Sequence, residues 1–130
     1  MKHLMIIAVM LLTSCAVQQI SLSDTVARDG TKSELWVKAN MWMIDIFHDA
    51  ESVIQFSDKE AGVIKGKYVI QHPNYLSTSG PLLSYATITL ITMDGGVTIE
   101  VDGEPCLAMY QSSYDAKVQG LIKEFNETFY

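Results

Sequence analysis

Three carboxylates at alternate positions, Glu100, Asp102 and Glu104, have the spacing to act together. Alternate residues of a strand share a face, so their oxygens would form a row of the ligands that calcium prefers. The sequence lacks the D-x-[DN]-x-[DN]-G motif of the EF-hand calcium-binding loop. We therefore interpret the row as the solvated face of a strand.

The histidines and the second cysteine form no recognisable catalytic or metal motif. His48, Asp49 and Glu51 are close in sequence, but one histidine lacks the paired spacing of zinc ligands. Cys106 would need a nearby histidine to act as a nucleophile, and His48 and His72 are the candidates. The sequence contains no G-x-S-x-G, H-E-x-x-H, P-loop or dinucleotide fingerprint. We predict no enzyme, metal or cofactor. An enzyme that uses His72, Cys106 or the carboxylate row ranks third, after a binding module and a ligand carrier.

The first residues have the pattern of an export leader. A positive start at Lys2 precedes an apolar run, Leu4 to Leu12, that is too short to span a bilayer. The Leu12-Thr13-Ser14-Cys15 sequence resembles the bacterial lipobox. This resemblance implies a signal peptide over 1–14, cleavage before Cys15, and lipid on the sulfur and the new amino group of Cys15.

Lipid on Cys15 would attach the protein to a membrane without a transmembrane helix, since each buried CH₂ contributes about 0.8 kcal/mol. Cys15 is followed by Ala16 to Gln19, which contains no acidic residue. By resemblance to lipoprotein sorting signals, this favours the periplasmic face of the bacterial cell envelope. Residues 15–30 are expected to hold the lipidated N-terminus, a tether and a possible first strand, and residues 31–130 a single domain.

Composition and charge exclude some partners. A chain of 130 residues with 48% apolar and 18% charged residues is expected to form one modest core. The formal net charge is -6, and Arg28 is the only arginine. Such a surface is unsuited to nucleic-acid phosphates and anionic lipid head groups. We predict no nucleic-acid partner.

The segment from Thr31 to His48 is the clearest helix in the sequence. Its start has the S/T-x-x-E pattern of a capping box, formed by Thr31 and Glu34. Its apolar residues follow helical spacing and predict one buried face. They are Leu35, Ala39, Trp42 and Ile46, widened by Trp36, Met43 and Phe47.

The remaining sequence alternates in the manner of strands and ends in a second helix. The predicted strands are Gln19 to Ser23, Ser52 to Ser57, Val63 to Gln71, Leu83 to Met93 and Val97 to Asp102. Alternation predicts that one set of residues faces the core: Ile64, Gly66, Tyr68, Ile70, Val97, Ile99 and Val101. It predicts that Lys65, Lys67, Glu100 and Asp102 face water. Ser112 or Ser113 is expected to cap the last helix, whose apolar stripe is Val118, Leu121, Ile122, Phe125 and Phe129. The order predicts an α+β domain in which two helices pack on one face of an antiparallel sheet.

Several short segments resemble a known bacterial family. They are Glu34-Leu35-Trp36, the surroundings of Trp42, Ser52 to Lys67 and the Asp94-Gly95 turn, and the most specific is the Asp58 to Gly62 hairpin followed by Gly66. Over Ser33 to Asp102 the chain resembles exported proteins and lipoproteins described as a domain of unknown function with a TATA-binding-protein-like (TBP-like) fold. The resemblance implies a β-α-β(4)-α order. It implies no reaction, ligand or catalytic residue.

These observations favour a non-enzymatic, lipid-anchored envelope protein. Its partner would be the membrane, through Cys15, and another envelope component bound by the exposed sheet face, an edge strand or the Tyr75 to Pro81 loop. The alternative is a small-ligand carrier with a pocket between helix and sheet. The residues expected to line that pocket are Trp36, Trp42, Tyr68 and Tyr85.

Overall fold

The structure is a computed structural model that describes residues 20–47, 53–72, 82–104 and 110–130. Its elements confirm the predicted α+β class and the β-α-β(4)-α order. In chain order they are β1 (Ser21–Ala27), α1 (Lys32–Ile46), β2 (Val53–Asp58), β3 (Val63–His72), β4 (Leu82–Met93), β5 (Gly96–Gly103) and α2 (Gln111–Phe129).

The five strands form one antiparallel sheet in the order β1-β5-β4-β3-β2, so β4 is central and β1 and β2 lie at the edges. The first strand extends beyond the predicted Gln19 to Ser23 and pairs with β5 from Ser21 opposite Asp102 to Ala27 opposite Gly96. The sheet therefore includes residues 21–27, ahead of the predicted domain start at residue 31.

Helix α1 begins at the predicted capping box. The Glu34 amide donates to Thr31 Oγ1 at 3.3 Å, and the Thr31 amide donates to Glu34 Oε2 at 2.9 Å. These bonds, first the one from the Thr31 backbone and then one from its hydroxyl, lower the pKa of Glu34. Asp94 adds a second carboxylate, because its Oδ1 accepts from the Lys32 amide at 2.7 Å. Negative groups at a helix start satisfy free amides and complement the helix dipole.

The turn between β2 and β3 is built from the segment that carries the family resemblance. Asp58 Oδ1 accepts from the amides of Glu60 and Ala61, each at 2.9 Å. Gly62 has a φ of +76°, a conformation that favours glycine. Its carbonyl accepts from the Thr92 amide at 2.7 Å, which ties the hairpin to β4.

Helix α2 differs from its prediction at one end. It begins at Gln111 with no side-chain cap, so the expected caps Ser112 and Ser113 lie inside its first turn and that prediction was wrong. The reason is that Tyr110 already has a helical backbone, with φ −103° and ψ −4°, and the chain enters the helix without an extended capping residue. The predicted stripe is buried apart from Ile122, which is partly buried.

Both helices pack on the same face of the sheet and meet over its centre. Phe47 and Met43 lie against Gly66 of β3, and Tyr114 lies against Gly103 of β5. Trp42 contacts Phe125 edge to face, with ring centroids 5.5 Å apart. The predicted inward residues of the strands, among them Ile64, Ile70, Val97, Ile99 and Val101, are buried beneath these helices.

Candidate functional site

The sheet face that points away from both helices is the candidate site. Strand side chains alternate between faces, so Lys65, next to buried Ile64, and Glu100, next to buried Ile99, point to this side. We call this surface the open sheet face. Its described residues include Ser21, Ser23 and Thr25 of β1, Thr98, Glu100 and Asp102 of β5, Tyr85, Thr87, Thr89, Ile91 and Met93 of β4, Val63, Lys65 and Lys67 of β3, and Phe56 of β2.

Strand pairing arranges the charges of the open sheet face in two rows. Asp102 lies opposite Thr87, which lies opposite Lys67. In the parallel row, Glu100 lies opposite Thr89, which lies opposite Lys65. The face thus has an acidic column on β5 and a basic column on β3, with hydroxyls between them on β4.

The two charged columns do not pair with each other in the structure. Their backbones are separated by two strand spacings, about 10 Å, and β4 lies between them. Within residues 20–47, 53–72, 82–104 and 110–130, an ion pair forms only between Lys123 and Glu127, at 3.7 Å. The open sheet face therefore presents unpaired charges of both signs.

Neighbouring side chains on this face hold two of the charged groups in place. The Nζ of Lys67 lies 3.6 Å from the ring centroid of Tyr85, a cation–π contact. Ser21 Oγ donates to Asp102 Oδ1 at 2.7 Å. These contacts orient one lysine and one carboxylate and leave their outer surfaces to a partner.

The carboxylate row from the sequence is partly reproduced. Glu100 and Asp102 share the open sheet face as expected, whereas Glu104 follows the end of β5 and its amide donates to the Tyr85 carbonyl at 3.0 Å. Among the described residues, no group of three histidine, cysteine, aspartate or glutamate side chains could hold a metal ion.

The four residues expected to line a ligand pocket do not come together. Trp42 is buried in the core against Phe125, and Trp36 packs against the edge of that core. Tyr68 points towards the helices because it lies opposite buried Ala86 in β4, whereas Tyr85, one residue earlier, points to the open sheet face. Alternation in β3 placed Tyr68 on the core face, as observed, but β4 is apolar on both faces and its sequence did not show that Tyr85 points the other way.

Of the four residues, Tyr68 lines a cleft of about 500 Å³ between the sheet and α2. The described residues of α2 that line it are Ser113, Ala116, Lys117, Gly120, Leu121 and Glu124. Ala116 and Gly120 are one turn apart and lack large side chains, so the helix surface is shallow there. The sequence analysis missed this cleft, and the four-residue spacing of Ala116 and Gly120 is the signal that could have indicated it.

A buried imidazole and hydroxyl form a second polar feature, under α2. His72 Nε2 and Ser84 Oγ are 2.8 Å apart, and the two residues are 2% and 9% exposed. The ring of His72 lies against Tyr110 and Tyr114, with centroids 5.0 and 6.4 Å away. Among the described residues, His72 Nδ1 has no hydrogen-bond partner, although a serine nucleophile and its base normally need a third group to orient the ring. The geometry is that of a buried polar pair.

His72 is expected to make stability depend on pH. Burial lowers its pKa from the usual 6.5, so the unfolded chain takes up a proton at higher pH than the folded chain. Stability from the neutral ring is therefore fully present above pH 6.5 and is lost as pH falls towards the folded pKa, by at most about 1.4 kcal/mol per pH unit. Urea unfolding from pH 8 to 5 measures this loss.

The control for this prediction is His72→Gln, whose amide can bond Ser84 without titrating. The difference in free energy of unfolding between wild type and variant should change below pH 6.5, the ordinary value for the ring. A difference that is constant with pH would show that His72 is not the titrating group.

Several predicted residues lie outside the described ranges. They are Cys15, His48, Asp49, Glu51, Cys106 and the Tyr75 to Pro81 loop. Neither of the two described helices is long and apolar enough to cross a membrane.

A five-stranded antiparallel sheet with two helices on one face is an α+β arrangement consistent with a TBP-like fold. The family model described as a domain of unknown function (DUF4468) with TBP-like fold matches residues 23–103, and the chain belongs to this family. The match confirms the family resemblance and extends it into β1.

The chain is similar to solved bacterial structures. A DUF4468 family protein from Bacteroides ovatus is 21% identical, with a TM-score of 0.50, over 64% of this chain and 52% of that one. A TBP-like protein from Parabacteroides distasonis is 21% identical, with a TM-score of 0.48, over 65% of this chain and 54% of that one. The matched part spans about half the length of these proteins. Among curated proteins, none matches the chain.

Proposed function

We propose that this chain is a lipid-anchored protein of the bacterial cell envelope and a non-enzymatic binding module that uses the open sheet face. The observation that carries the proposal is the pair of charged columns on β5 and β3, which have no ion-pair partner among the described residues. Charged groups arranged in register favour a partner with complementary charges and select against others.

The proposed anchor rests on the leader and its cysteine. The lipobox-like Leu12 to Cys15 follows an apolar run too short to span a bilayer. Several acyl chains on one residue bind a membrane stably, whereas a single chain binds only marginally. The anchor would hold the domain at a membrane surface facing the periplasm, where the open sheet face meets other envelope components.

Replacing the lipidation site tests the anchor. We expect Cys15→Ser to abolish palmitate labelling and to leave an uncleaved precursor or a chain released from the membrane, because the lipobox-like position then has no thiol to receive the lipid. Cys106→Ser is the matched control and should behave as wild type. Labelling and membrane fractionation that are unchanged in Cys15→Ser would contradict the anchor.

The second candidate function is a small-ligand carrier, favoured by the cleft beside Tyr68. Its volume, about 500 Å³, lies within the range of small-molecule sites. Native mass spectrometry of the full chain, purified in mild detergent, would reveal a bound molecule. Gly120→Met is the control, since a Cβ at Gly120 meets no atom within 4 Å and the new side chain would fill the cleft. A ligand retained in equal amount by Gly120→Met would place it elsewhere.

A further inference from the structure

We infer that the partner of the open sheet face is a second copy of this chain, packed face to face about a two-fold axis that runs along β4. This inference rests on the proposed function, because it names the partner of the same surface. The charge pattern of the face is complementary to itself under this one rotation.

The strand order supplies the symmetry. In the order β1-β5-β4-β3-β2, the central strand has one charged column on each side. A rotation by half a turn about an axis along β4, in the plane of the interface, exchanges left and right. It therefore places β5 of one copy over β3 of the other, and the acidic column over the basic column.

The register supplies the match along the strands. Asp102 and Lys67 both lie opposite Thr87, and Glu100 and Lys65 both lie opposite Thr89. The rotation leaves positions along the axis unchanged, so Asp102 meets Lys67 of the second copy. In the same way Glu100 meets Lys65, and each pair forms twice because a two-fold contact is isologous.

Other arrangements bring like charges together. A two-fold axis across the strands would place the acidic column over itself and the basic column over itself, which is unfavourable. A uniformly anionic partner, such as nucleic acid, would meet Glu100 and Asp102, and a uniformly cationic partner would meet Lys65 and Lys67. A second copy satisfies both columns.

Apolar and hydroxyl groups on the same face add contact area. Met93 is 45% exposed and Phe56 is 51% exposed, so both have apolar surface that packing would bury. Packed sheets lie about 10 Å apart, a gap that lysine and carboxylate side chains from opposite sheets can bridge. Thr87 and Thr89 of β4 lie near the axis, so each would face the same threonine of the second copy.

Crosslinking in intact cells that produce the full-length chain tests this inference. A benzoylphenylalanine at position 89, near the axis, is expected to give a product of twice the chain mass on irradiation. The same probe at position 37, on the outer surface of α1, is the control and should give none; Val37 is 45% exposed.

Charge reversal then tests the register. Lys65→Glu with Lys67→Glu makes the whole face acidic and should raise the dissociation constant of the dimer at least about tenfold. Adding Glu100→Lys and Asp102→Lys restores the alternation with columns exchanged and the wild-type net charge. This fourfold variant should recover the crosslink, which also shows that the loss is not caused by unfolding.

The outcomes separate the two proposals. A crosslink from position 89 to a different protein overturns the second copy and leaves the binding module in place. No crosslink from position 89 overturns both. A double-mass product that also forms from position 37, that survives Lys65→Glu with Lys67→Glu, or that the fourfold variant fails to recover overturns the paired register.

Discussion

Phe125→Ala is expected to lower the free energy of unfolding by about 3–5 kcal/mol, the usual cost of deleting a buried phenylalanine ring. Phe125 is fully buried, contacts Trp42 of α1 edge to face at 5.5 Å, and lies 4.7 Å from the ring of Phe129. Its removal leaves a cavity where both helices meet. Since domains of this size are stable by about 5–15 kcal/mol, the loss would be a large part of the total. Urea unfolding of the purified chain measures it.

Phe56→Ala is the control for Phe125→Ala, because Phe56 is an exposed phenylalanine. Phe56 is 51% exposed on an edge strand, and Phe56→Ala should change stability by less than about 1 kcal/mol. Equal losses from the two substitutions would mean that the helices do not enclose Phe125.

Gly66→Val is expected to destabilise the chain by about 1–3 kcal/mol through overpacking. A Cβ at Gly66 would lie 2.5 Å from Phe47 Cζ and 2.8 Å from Met43 Cε. Phe47 packs there because β3 has no side chain beneath it, and its ring is 6.0 Å from that of Tyr68. Chemical unfolding again gives the magnitude.

The Phe47→Ala background makes this prediction sharper. Without the ring, the closest clash of Gly66→Val is removed and only the flexible end of the Met43 side chain has to move. The strand preference of valine over glycine then contributes up to about 1 kcal/mol. The effect of Gly66→Val should therefore become neutral or stabilising, a coupling that a double-mutant cycle detects. Additive effects would show that Phe47 does not contact Gly66.

Local patterns predicted most of the fold. The capping box fixed the start of α1, and alternation identified which residues of β3 and β5 are buried, because each signal depends on near neighbours in sequence. The start of α2 was misassigned because Ser112 and Ser113 resemble caps, whereas the backbone is already helical at Tyr110. The first strand was assigned too short because its second half is held by pairing with β5, a contact between distant segments.

The candidate site depended on information that near neighbours do not contain. The sequence predicted that Lys65 and Lys67 point away from the core, and Glu100 and Asp102 likewise. It did not predict that a single strand separates the two columns in aligned rows, since that follows from strand order and register. The register also explains why Tyr68 and Tyr85 do not share a pocket. Tyr68 lies opposite Ala86, the neighbour of Tyr85 in β4, so the two tyrosines point to opposite faces of the sheet.

The segments that identify the family have structural roles in this chain. Asp58 and Gly62 shape a turn that bonds to β4, and Asp94 accepts from the first amide of α1. Lys32 Nζ also donates to the Glu60 carbonyl at 2.5 Å. These residues join one hairpin, one turn and one helix start at the same end of the sheet, so the family signal marks a folding constraint.

Strand direction decides how a pair of these chains would stand on a bilayer. A rotation about an axis along β4 leaves every strand running the same way, so the two β1 strands would begin at the same end of the pair. Ile20 is five residues after Cys15, a reach of at most about 18 Å. The lipids proposed on Cys15 of the two copies would therefore enter one leaflet, with the symmetry axis upright on the membrane and the β2–β3 and β4–β5 turns pointing away from it.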